Sequence, residues 1–400
     1  MTPTPLRRRR AKGAAALFAG ALFGFAAPAQ AQDFEWPRLL VIGTPGTASG
    51  SFASTNGWAP VLQESTGATV RVVPEDNEPQ RFRRLNDRKD IQISSVSAAE
   101  MRSQTEGIGG YAAIPAVEQR ILWHHNDTPW GYVIAGDSDL QSIDDLKEGG
   151  IRVAEGMFSP TMQEQVRIGL PAFLGIDPEK AAEVIEYVPA SSYAENCRGV
   201  VEGKFDVAWC APISSVLSEM EGAPGSIRWL DLPPDRTDAW QALLERSPML
   251  IPSTIELGVS TARGLESATS NFLYSVTAEA DEDFAYNMAK WLHTSHDAYK
   301  GVHPLAARMS LQQFRSYLNR TPMPVHEGMV RYLREIGEWT EEDDAWNQAA
   351  LDRMAAWVEA RNAAIAEARD QRIAPDFNDP EFIAIVDKHT EGLEIFRSRL

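Results

Sequence analysis

The same order of apolar runs and helical stretches occurs twice in this chain of 400 residues. In the first copy, the short apolar runs that predict strands are residues 39–42, 68–73 and 90–95. In the second copy, they are residues 151–154, 184–188 and 205–210. Each copy is therefore βαβαβ, a pattern that predicts a mostly parallel sheet flanked by helices. Because corresponding strands lie roughly 110–116 residues apart, the repeat predicts two similar α/β lobes rather than a solenoid.

The segments around the two copies set the predicted boundaries of the lobes. An apolar run at residues 130–135 is expected to carry the chain from lobe one into lobe two. A chain of this length usually divides into more than one domain. We therefore predict lobe one over residues 32–128 and 250–335, and lobe two over residues 129–249.

The last part of the chain, residues 336–400, is predicted to be a C-terminal helical extension. A helix is expected from about residue 340 to 371, where apolar side chains roughly follow a period of 3.6 residues. These side chains are Trp346, Ala350, Met354, Trp357 and Ala364. We expect the stripe to pack on the body of the protein, and an oligomer contact is the alternative.

The first 31 residues have the pattern of a secretory signal peptide. Basic residues at 7–10 and at Lys12 precede an Ala-rich apolar run at 14–27. The run ends at the small-residue cleavage pattern Ala29-Gln30-Ala31. The sequence therefore predicts cleavage after Ala31 and export to the periplasm. A retained N-terminal anchor is the alternative, although the apolar run is short for a membrane span.

The charge and the missing motifs exclude several function classes. The formal net charge is −18, which argues against binding to nucleic acids or anionic membranes, since both need a basic face. The sequence contains no HExxH, no G-x-S-x-G, no Walker A motif and no G-x-G-x-x-G after a strand. The histidines at 124–125 and at 293, 296 and 303 lack a recognised metal-ligand spacing. We therefore expect no enzyme activity, no metal and no cofactor.

The only two cysteines, Cys197 and Cys210, are predicted to form a disulfide. An even number of cysteines in an oxidising compartment is compatible with pairing. Cys197 is placed about one turn into a lobe-two helix that starts at the cleft, and Cys210 ends the strand that returns to the same side. Two buried free thiols are the alternative.

Loops rich in glycine and hydroxyl residues join the first strand of each lobe to the following helix. Lobe one offers Gly46, Gly50 and Ser51 at this junction, and lobe two offers Gly156, Ser159 and Thr161. In a parallel α/β sheet, ligands bind beyond the carboxyl ends of the strands, where backbone N–H groups of the next helix are unpaired. The two loops therefore predict a ligand site in the cleft between the lobes.

Four segments of the sequence resemble one known family. They are residues 40–52 with the glycine loop, 145–154 (DLKEGGIRVA), 203–208 (GKFDVA) and 325–337 (VHEGMVRYLREIG). Together they resemble the TAXI family of substrate-binding proteins, the extracytoplasmic receptors of tripartite ATP-independent periplasmic (TRAP) transporters. The resemblance covers nearly the whole chain after the leader. It implies a two-lobed, type II-like periplasmic binding protein fold and a membrane permease as partner.

Two departures from the family pattern lie beside the expected cleft. Arg81 stands where the family has an asparagine, and residues 94–97 (SSVS) replace its Gln-Ser-Asp group. Glutamate, the ligand of some members, is therefore implied less firmly than the fold and the transport role. Because the protein is acidic, we expect an anionic ligand to need a local cation, and Arg81 is the candidate to bind its carboxylate.

The sequence thus predicts a receptor that delivers a small, carboxylate-bearing metabolite to a TRAP transporter. The alternatives are a binding protein for a sensor or an ATP-driven importer and, less favoured, a periplasmic enzyme. Trp130 is a further apolar candidate for contact with the ligand. The predicted ligand-binding residues are Thr44, Gly46, Thr47, Gly50, Ser51, Phe52, Arg81, Ser94, Ser95, Phe158, Ser159, Thr161 and Trp209.

Overall fold

The computed structural model describes residues 1–2, 34–318 and 320–398, so the predicted signal peptide lies almost entirely outside the described residues. The chain divides into two units, Met1–Glu35 and Trp36–Leu400, and the fold below is that of the second unit. Its strands are β1 (Leu39–Thr44), β2 (Thr69–Pro74), β3 (Ile93–Ser97), β4 (Gln119–Ala135), β5 (Ile151–Gly156), β6 (Ile185–Ala190), β7 (Ala208–Cys210), β8 (Ile227–Leu230), β9 (Leu250–Thr254) and β10 (Glu266–Thr277).

The helices alternate with these strands and then continue alone to the C-terminus. They are α1 (Gly50–Thr66), α2 (Glu78–Asn86), α3 (Ala98–Glu106), α4 (Pro160–Glu164), α5 (Leu170–Leu174), α6 (Tyr193–Arg198), α7 (Ser215–Gly222), α8 (Thr237–Arg246), α9 (Glu282–Thr294), α10 (His296–Tyr299), α11 (Leu311–Leu318), α12 (Glu327–Glu335), α13 (Glu341–Gln371) and α14 (Pro380–Thr390). A π-helical turn, Gln165–Gly169, joins α4 to α5. Among the described residues, no helix is both long and apolar enough to cross a membrane.

Both halves of the protein use the same strand order. In lobe one, the order is β2-β1-β3-β10-β4, with β10 antiparallel to both of its neighbours. In lobe two, the order is β6-β5-β7-β4-β8. Here β5 pairs with the residue just before β7, through a parallel bridge between Val153 and Val207. The antiparallel strand is β10 in lobe one and β4 in lobe two. Each of these strands runs opposite to its neighbours because it enters from the other half. The predicted α/β class with two βαβαβ copies is confirmed.

Two long strands connect the halves. Residues 119–130 of β4 pair with β10, and residues 131–135 pair with β7 and β8 of lobe two. β10 carries the chain back from lobe two to lobe one. Its first residues pair with β9 of lobe two, and residues 272–275 pair with β3 of lobe one. The structure therefore joins the halves through paired β-strands, which restrict their relative motion more than a free linker would.

Each half has its own hydrophobic core. Trp58, Trp123 and Tyr274 belong to the core of lobe one, and Phe173 and Trp240 belong to the core of lobe two. Leu250, Ile255 and Leu265 also pack in the core of lobe two. The chain therefore returns to lobe one within β10, later than the predicted boundary at 249/250. Segment 250–265 stays in lobe two because β9 pairs with the lobe-two end of β10.

The C-terminal helices pack on the body, as the apolar stripe predicts. Met354 and Trp357 of α13 join the core of lobe one, and Ala364 packs with Phe382 of α14. Further along the same face, Arg361 is buried and donates hydrogen bonds to backbone carbonyls at the end of α3 and in the loop after it. The predicted C-terminal helical extension is confirmed.

A disulfide joins Cys197 of α6 to Cys210 at the end of β7. The two Cα atoms are 6.0 Å apart, and both side chains are fully buried in the core of lobe two. The bridge links the C-terminal part of α6 to the last residue of β7, the strand that follows it.

Candidate functional site

A cavity of about 90 Å³ lies at the carboxyl ends of the strands of both halves, where the two βαβαβ copies face each other. This volume exceeds the space that one water molecule needs, so the cavity can hold a small organic molecule. Lobe one contributes residues of the turns after β1, β2 and β3 with the helices that follow. Lobe two contributes residues that follow β5, β6 and β7. This is the position in which ligands of parallel α/β sheets bind.

The turn after β1 has the geometry that its small residues predict. Ser49 caps α1, and its Oγ accepts a hydrogen bond from the backbone N–H of Phe52 at 3.1 Å. The N–H of Gly46 donates to Oδ1 of Asp76 at 3.0 Å, and a Cβ at this glycine would collide with the same carboxylate. Gly50 and Ser51 reach the cavity wall. Glycine is therefore needed at residue 46 for close approach of a side chain.

The predicted site residues divide into two groups. Those in the cavity wall are Gly50, Ser51, Arg81, Phe158, Thr161 and Trp209. Those that stand beside or behind the wall are Thr44, Gly46, Thr47, Phe52, Ser94, Ser95 and Ser159. Several of the second group bond within the protein: Oγ1 of Thr44 donates to the carbonyl of Pro45, and Oγ of Ser95 pairs with Nδ1 of His125.

Arg81 reaches the cavity, but its guanidinium already has protein partners. The side chain is 1% exposed, and its two terminal nitrogens donate to Oε2 of Glu100 at 2.6 Å and to the carbonyl of Glu75 at 2.5 Å. Its Nε has no partner among the described residues. A buried guanidinium without a counter-charge would be costly, and Glu100 of α3 provides that charge. Arg81 is thus not the free cation that the sequence led us to expect.

A second buried arginine links the two halves. Nη1 of Arg102 on α3 donates to both carboxylate oxygens of Glu164 on α4, at 2.9 and 3.0 Å. Its Nε donates to Glu106 at 2.8 Å. Both arginines in the cavity wall are therefore paired with carboxylates.

Glu78 connects the halves at the place where the sequence predicted an anion. Its carboxylate accepts hydrogen bonds from the hydroxyls of Ser159 at 2.7 Å and Thr161 at 3.0 Å. Its backbone N–H also donates to the carbonyl of Phe158 at 2.9 Å. Close by, Oδ2 of Asp76 accepts from the backbone N–H of Tyr193 at 3.3 Å. The hydroxyl donors of lobe two thus hold a carboxylate of the protein itself.

Burial raises the pKa values of the cavity carboxylates. For Glu100, removal from water raises the pKa to about 8, against the opposing effect of Arg81. Removal from water also raises the pKa values of Glu78 and Glu164, although Arg81 and Arg102 respectively oppose this change. Burial therefore favours the protonated, uncharged forms of these carboxyl groups.

Aromatic side chains form much of the remaining wall. Trp130 of β4 and Trp209 of β7 stack with their ring centroids 5.8 Å apart and an angle of 8° between their planes. Phe158 and Tyr193 meet edge to face at 6.4 Å. Gln165, which begins the π-helical turn, donates from Nε2 to the hydroxyl of Tyr132, and its Oε1 has no partner among the described residues.

Four lining carboxylates were missed by the reasoning from sequence: Asp76, Glu78, Glu100 and Glu164. Glu78 heads α2 and Glu100 lies three residues after the N-cap Ser97, so both positions are ordinary for acidic residues in a first helical turn. No local pattern distinguishes them from helix-capping carboxylates. Within the described part of the chain, no group of three or more His, Cys, Asp or Glu residues is placed to hold a metal ion.

The topology and the cavity define the class of this protein: its fold is the two-lobed α/β fold of periplasmic binding proteins. Residues 42–337 match the NMT1-like family, and the chain belongs to that family. A search of the curated proteins gave no match.

Solved structures with similar folds include the binding-protein component of a phosphonate ABC transporter from Pseudomonas aeruginosa, with 11% identity, 84% of this chain and 98% of that chain covered, and a TM-score of 0.43. The periplasmic aliphatic sulphonate binding protein SsuA from Escherichia coli has 14% identity, coverages of 78% and 89%, and a TM-score of 0.37. A TctC solute binding protein from Polaromonas has 12% identity, coverages of 82% and 98%, and a TM-score of 0.40. These neighbours are solute-binding proteins, and at such low similarity they carry no information about the ligand of this chain.

Proposed function

We propose that this protein is an extracytoplasmic solute receptor that binds a small molecule between its two lobes and delivers it to a membrane transporter. The observation that carries the proposal is the cavity, which lies at the strand ends of both halves and is lined by both. A ligand there contacts two bodies joined by two strands, so its binding energy can hold the lobes together.

The type of transporter is proposed from the sequence resemblance. The TAXI-like segments support a receptor of a TRAP transporter, whose permease is driven by an ion gradient. An ATP-driven importer or a sensor is the alternative partner, and the receptor fold is compatible with each. Uptake of the identified ligand, measured after deletion of a neighbouring gene for a multi-span permease, separates these partners. Loss of uptake assigns the permease as the partner, and unchanged uptake rejects it.

Periplasmic location belongs to the same proposal. It is supported by the leader pattern at residues 1–31 and by the Cys197–Cys210 disulfide, since structural disulfides persist mainly in oxidising compartments. Fractionation of the producing cells, with N-terminal sequencing of the purified protein, tests both the compartment and cleavage after Ala31. Recovery of the uncleaved chain from the membrane would contradict the proposal.

A carboxylate ligand, the class expected from the sequence, would meet a specific obstacle in this cavity. It would have to displace Glu100 from Arg81, or displace Glu78 from Ser159 and Thr161. Each exchange replaces one buried carboxylate by another and leaves the displaced one in need of new partners.

The proposal is tested by recovering the natural ligand and returning it to stripped protein. Native mass spectrometry of protein purified from its host is expected to show a bound small molecule. Unfolding and refolding should remove it, and adding it back should lower the radius of gyration in X-ray scattering and raise the melting temperature. Chemical conversion of the molecule would indicate an enzyme instead, and binding without compaction would place the site within one lobe.

A further inference from the structure

We infer that the cavity binds a small organic cation, a protonated amine attached to an apolar or aromatic body. This inference rests on the proposed function and names the class of ligand for the same cavity. It is carried by the balance of charges in the wall, by a buried acceptor without a partner and by the aromatic side chains around it.

Carboxyl groups outnumber guanidinium groups in the wall of the cavity. The wall contains the carboxylates of Asp76, Glu78, Glu100 and Glu164, but only the guanidinium groups of Arg81 and Arg102. Glu100 and Glu164 form ion pairs with these two arginines at 2.6 and 2.9 Å. The remaining two carboxylates accept hydrogen bonds from neutral hydroxyl and backbone groups. This excess of carboxyl groups over guanidinium groups favours a cation over an anion in the cavity.

Gln165 supplies an independent indication. This side chain is 4% exposed and lines the cavity, and its Nε2 is fixed by a hydrogen bond to the hydroxyl of Tyr132 at 3.0 Å. Its Oε1 is buried and accepts no hydrogen bond from the described residues. A buried carbonyl oxygen without a donor is costly. The N–H groups of an ammonium ligand would satisfy it, whereas a carboxylate oxygen would be repelled.

The aromatic side chains provide a surface for the rest of the ligand. Trp130, Phe158, Tyr193, Trp209 and Phe272 all line the cavity. Aromatic faces attract cations, and the attraction is largest when the cation is desolvated. The same faces bury apolar carbon atoms. The unpartnered Nε of Arg81 adds one donor, which would suit a hydroxyl or carbonyl group on the body of the ligand.

A bare metal ion does not fit the same observations. No set of three or more metal-ligating side chains converges among the described residues, and each lining carboxylate is already held by the protein. The rings of Trp130, Phe158, Trp209 and Phe272 offer no oxygen ligands to a hard cation. The excess of carboxyl groups together with the aromatic wall is therefore matched to an organic cation.

A panel matched in shape but not in charge tests the inference on the full chain. The first three probes are 2-phenylethylamine, 3-phenylpropanoate and 3-phenylpropanamide, which carry an ammonium, a carboxylate and an amide group. The same three groups are also tested on cyclohexylethyl and pentyl bodies. Binding to the ligand-free protein is measured as a rise in melting temperature, and then as an affinity by titration calorimetry. We expect stabilisation by one or more of the ammonium compounds and none by their carboxylate or amide counterparts.

Two variants locate the cation within the cavity. Gln165→Leu removes the unpartnered acceptor at similar size, and we expect ammonium affinity to fall about tenfold or more. Glu78→Gln removes one negative charge while keeping an oxygen for Ser159 and Thr161, and we expect a loss of at least about fivefold. Gln348→Leu, on the exposed face of α13, is the matched control and should leave affinity unchanged. The melting temperature of each ligand-free variant verifies that it is folded.

The outcomes separate this inference from the proposed function. Stabilisation by a carboxylate or an amide, without its ammonium counterpart, overturns the cationic class but leaves the receptor function intact. Failure of all three ammonium compounds to bind also counts against the cation, and the natural ligand recovered by mass spectrometry then shows which class replaces it. Unchanged ammonium affinity in both Gln165→Leu and Glu78→Gln would place the cation elsewhere and overturn the site.

Discussion

At the scale of single residues, charged groups in the cavity wall pair with one another, within lobe one and across the cleft. Arg81 and Glu100 lie on successive helices of lobe one, and both are 1% exposed. Breaking such a pair from one side leaves an uncompensated buried charge, which is strongly destabilising. The pair therefore acts first as part of the structure, and it shapes what a ligand can meet in the cavity.

Glu100 gives the stability of the protein a predictable pH dependence. Because burial raises its folded-state pKa from 4.5 to about 8, its contribution to stability is complete below pH 4.5 and is lost as the pH rises through about 8. We expect Glu100→Gln to have a flatter pH profile of the unfolding free energy across this interval, whatever its absolute stability. The difference in slope should not exceed about 1.4 kcal/mol per pH unit. Denaturant titrations at several pH values measure it, and parallel profiles would contradict the prediction.

At the scale of elements, one buried arginine makes five of the hydrogen bonds that hold the C-terminal helix α13 on lobe one. Nη1 of Arg361 donates to the carbonyls of Gln104 and Thr105, and Nη2 donates to those of Tyr111, Ala112 and Ile114. Removal from water lowers the pKa of this guanidinium to about 10. The side chain thus satisfies the carbonyls at the end of α3 that the helix cannot pair itself.

Replacement of Arg361 should therefore destabilise the protein strongly. Arg361→Leu leaves several buried carbonyls without donors, and we expect a loss of about 3 kcal/mol or more in the unfolding free energy. Arg369→Leu changes the same residue type on an exposed position of the same helix and should cost less than about 0.5 kcal/mol. Urea denaturation compares the two variants. Equal losses would show that Arg361 contributes only as a surface charge.

The disulfide between α6 and β7 is a second prediction at this scale. Its cysteines are 13 residues apart, and closing such a loop stabilises a fold by ~3 kcal/mol in the chain-entropy model. We expect the double variant Cys197→Ala with Cys210→Ala to lose stability of this order, and the unreduced, unfolded wild type to show no thiol that alkylates. Two alkylated thiols under those conditions would rule out the bridge.

At the scale of the whole molecule, contacts between the lobes hold the cleft closed around the cavity. Glu78 binds Ser159 and Thr161, Arg102 binds Glu164, and Asp76 accepts from the backbone of Tyr193. These contacts involve the same region that a ligand would occupy. Opening of the lobes and binding of the ligand are therefore coupled through them.

Removing one of these contacts should open the ligand-free protein. We expect Glu78→Ala to increase the radius of gyration in X-ray scattering, because the hydroxyls of Ser159 and Thr161 then lose their partner in lobe one. Gln80→Ala, an exposed position on the same helix, is the control and should leave the radius unchanged. An unchanged radius in both variants would mean that the other contacts are sufficient for closure.

The sequence by itself determined the elements of this protein and the place of its cavity. Strand and helix positions follow from local periodicity and capping, as for Ser159 before Pro160, so both βαβαβ copies and the helix Glu341–Gln371 were predictable. The glycine and hydroxyl loops followed from the same local rules, and Gly50, Ser51, Phe158 and Thr161 do line the cavity.

Only the tertiary structure decided which charged groups meet. Glu78 and Ser159 are 81 residues apart, Arg102 and Glu164 are 62 apart, and Arg361 contacts a loop about 250 residues earlier. A carboxylate in the first turn of a helix has the same local pattern whether it faces water, caps the helix or neutralises an arginine. Its partner depends on how distant elements pack, because burial forces each charge to find a counter-charge or a donor. For that reason the composition of the cavity wall, and with it the class of ligand, could not be read from the sequence.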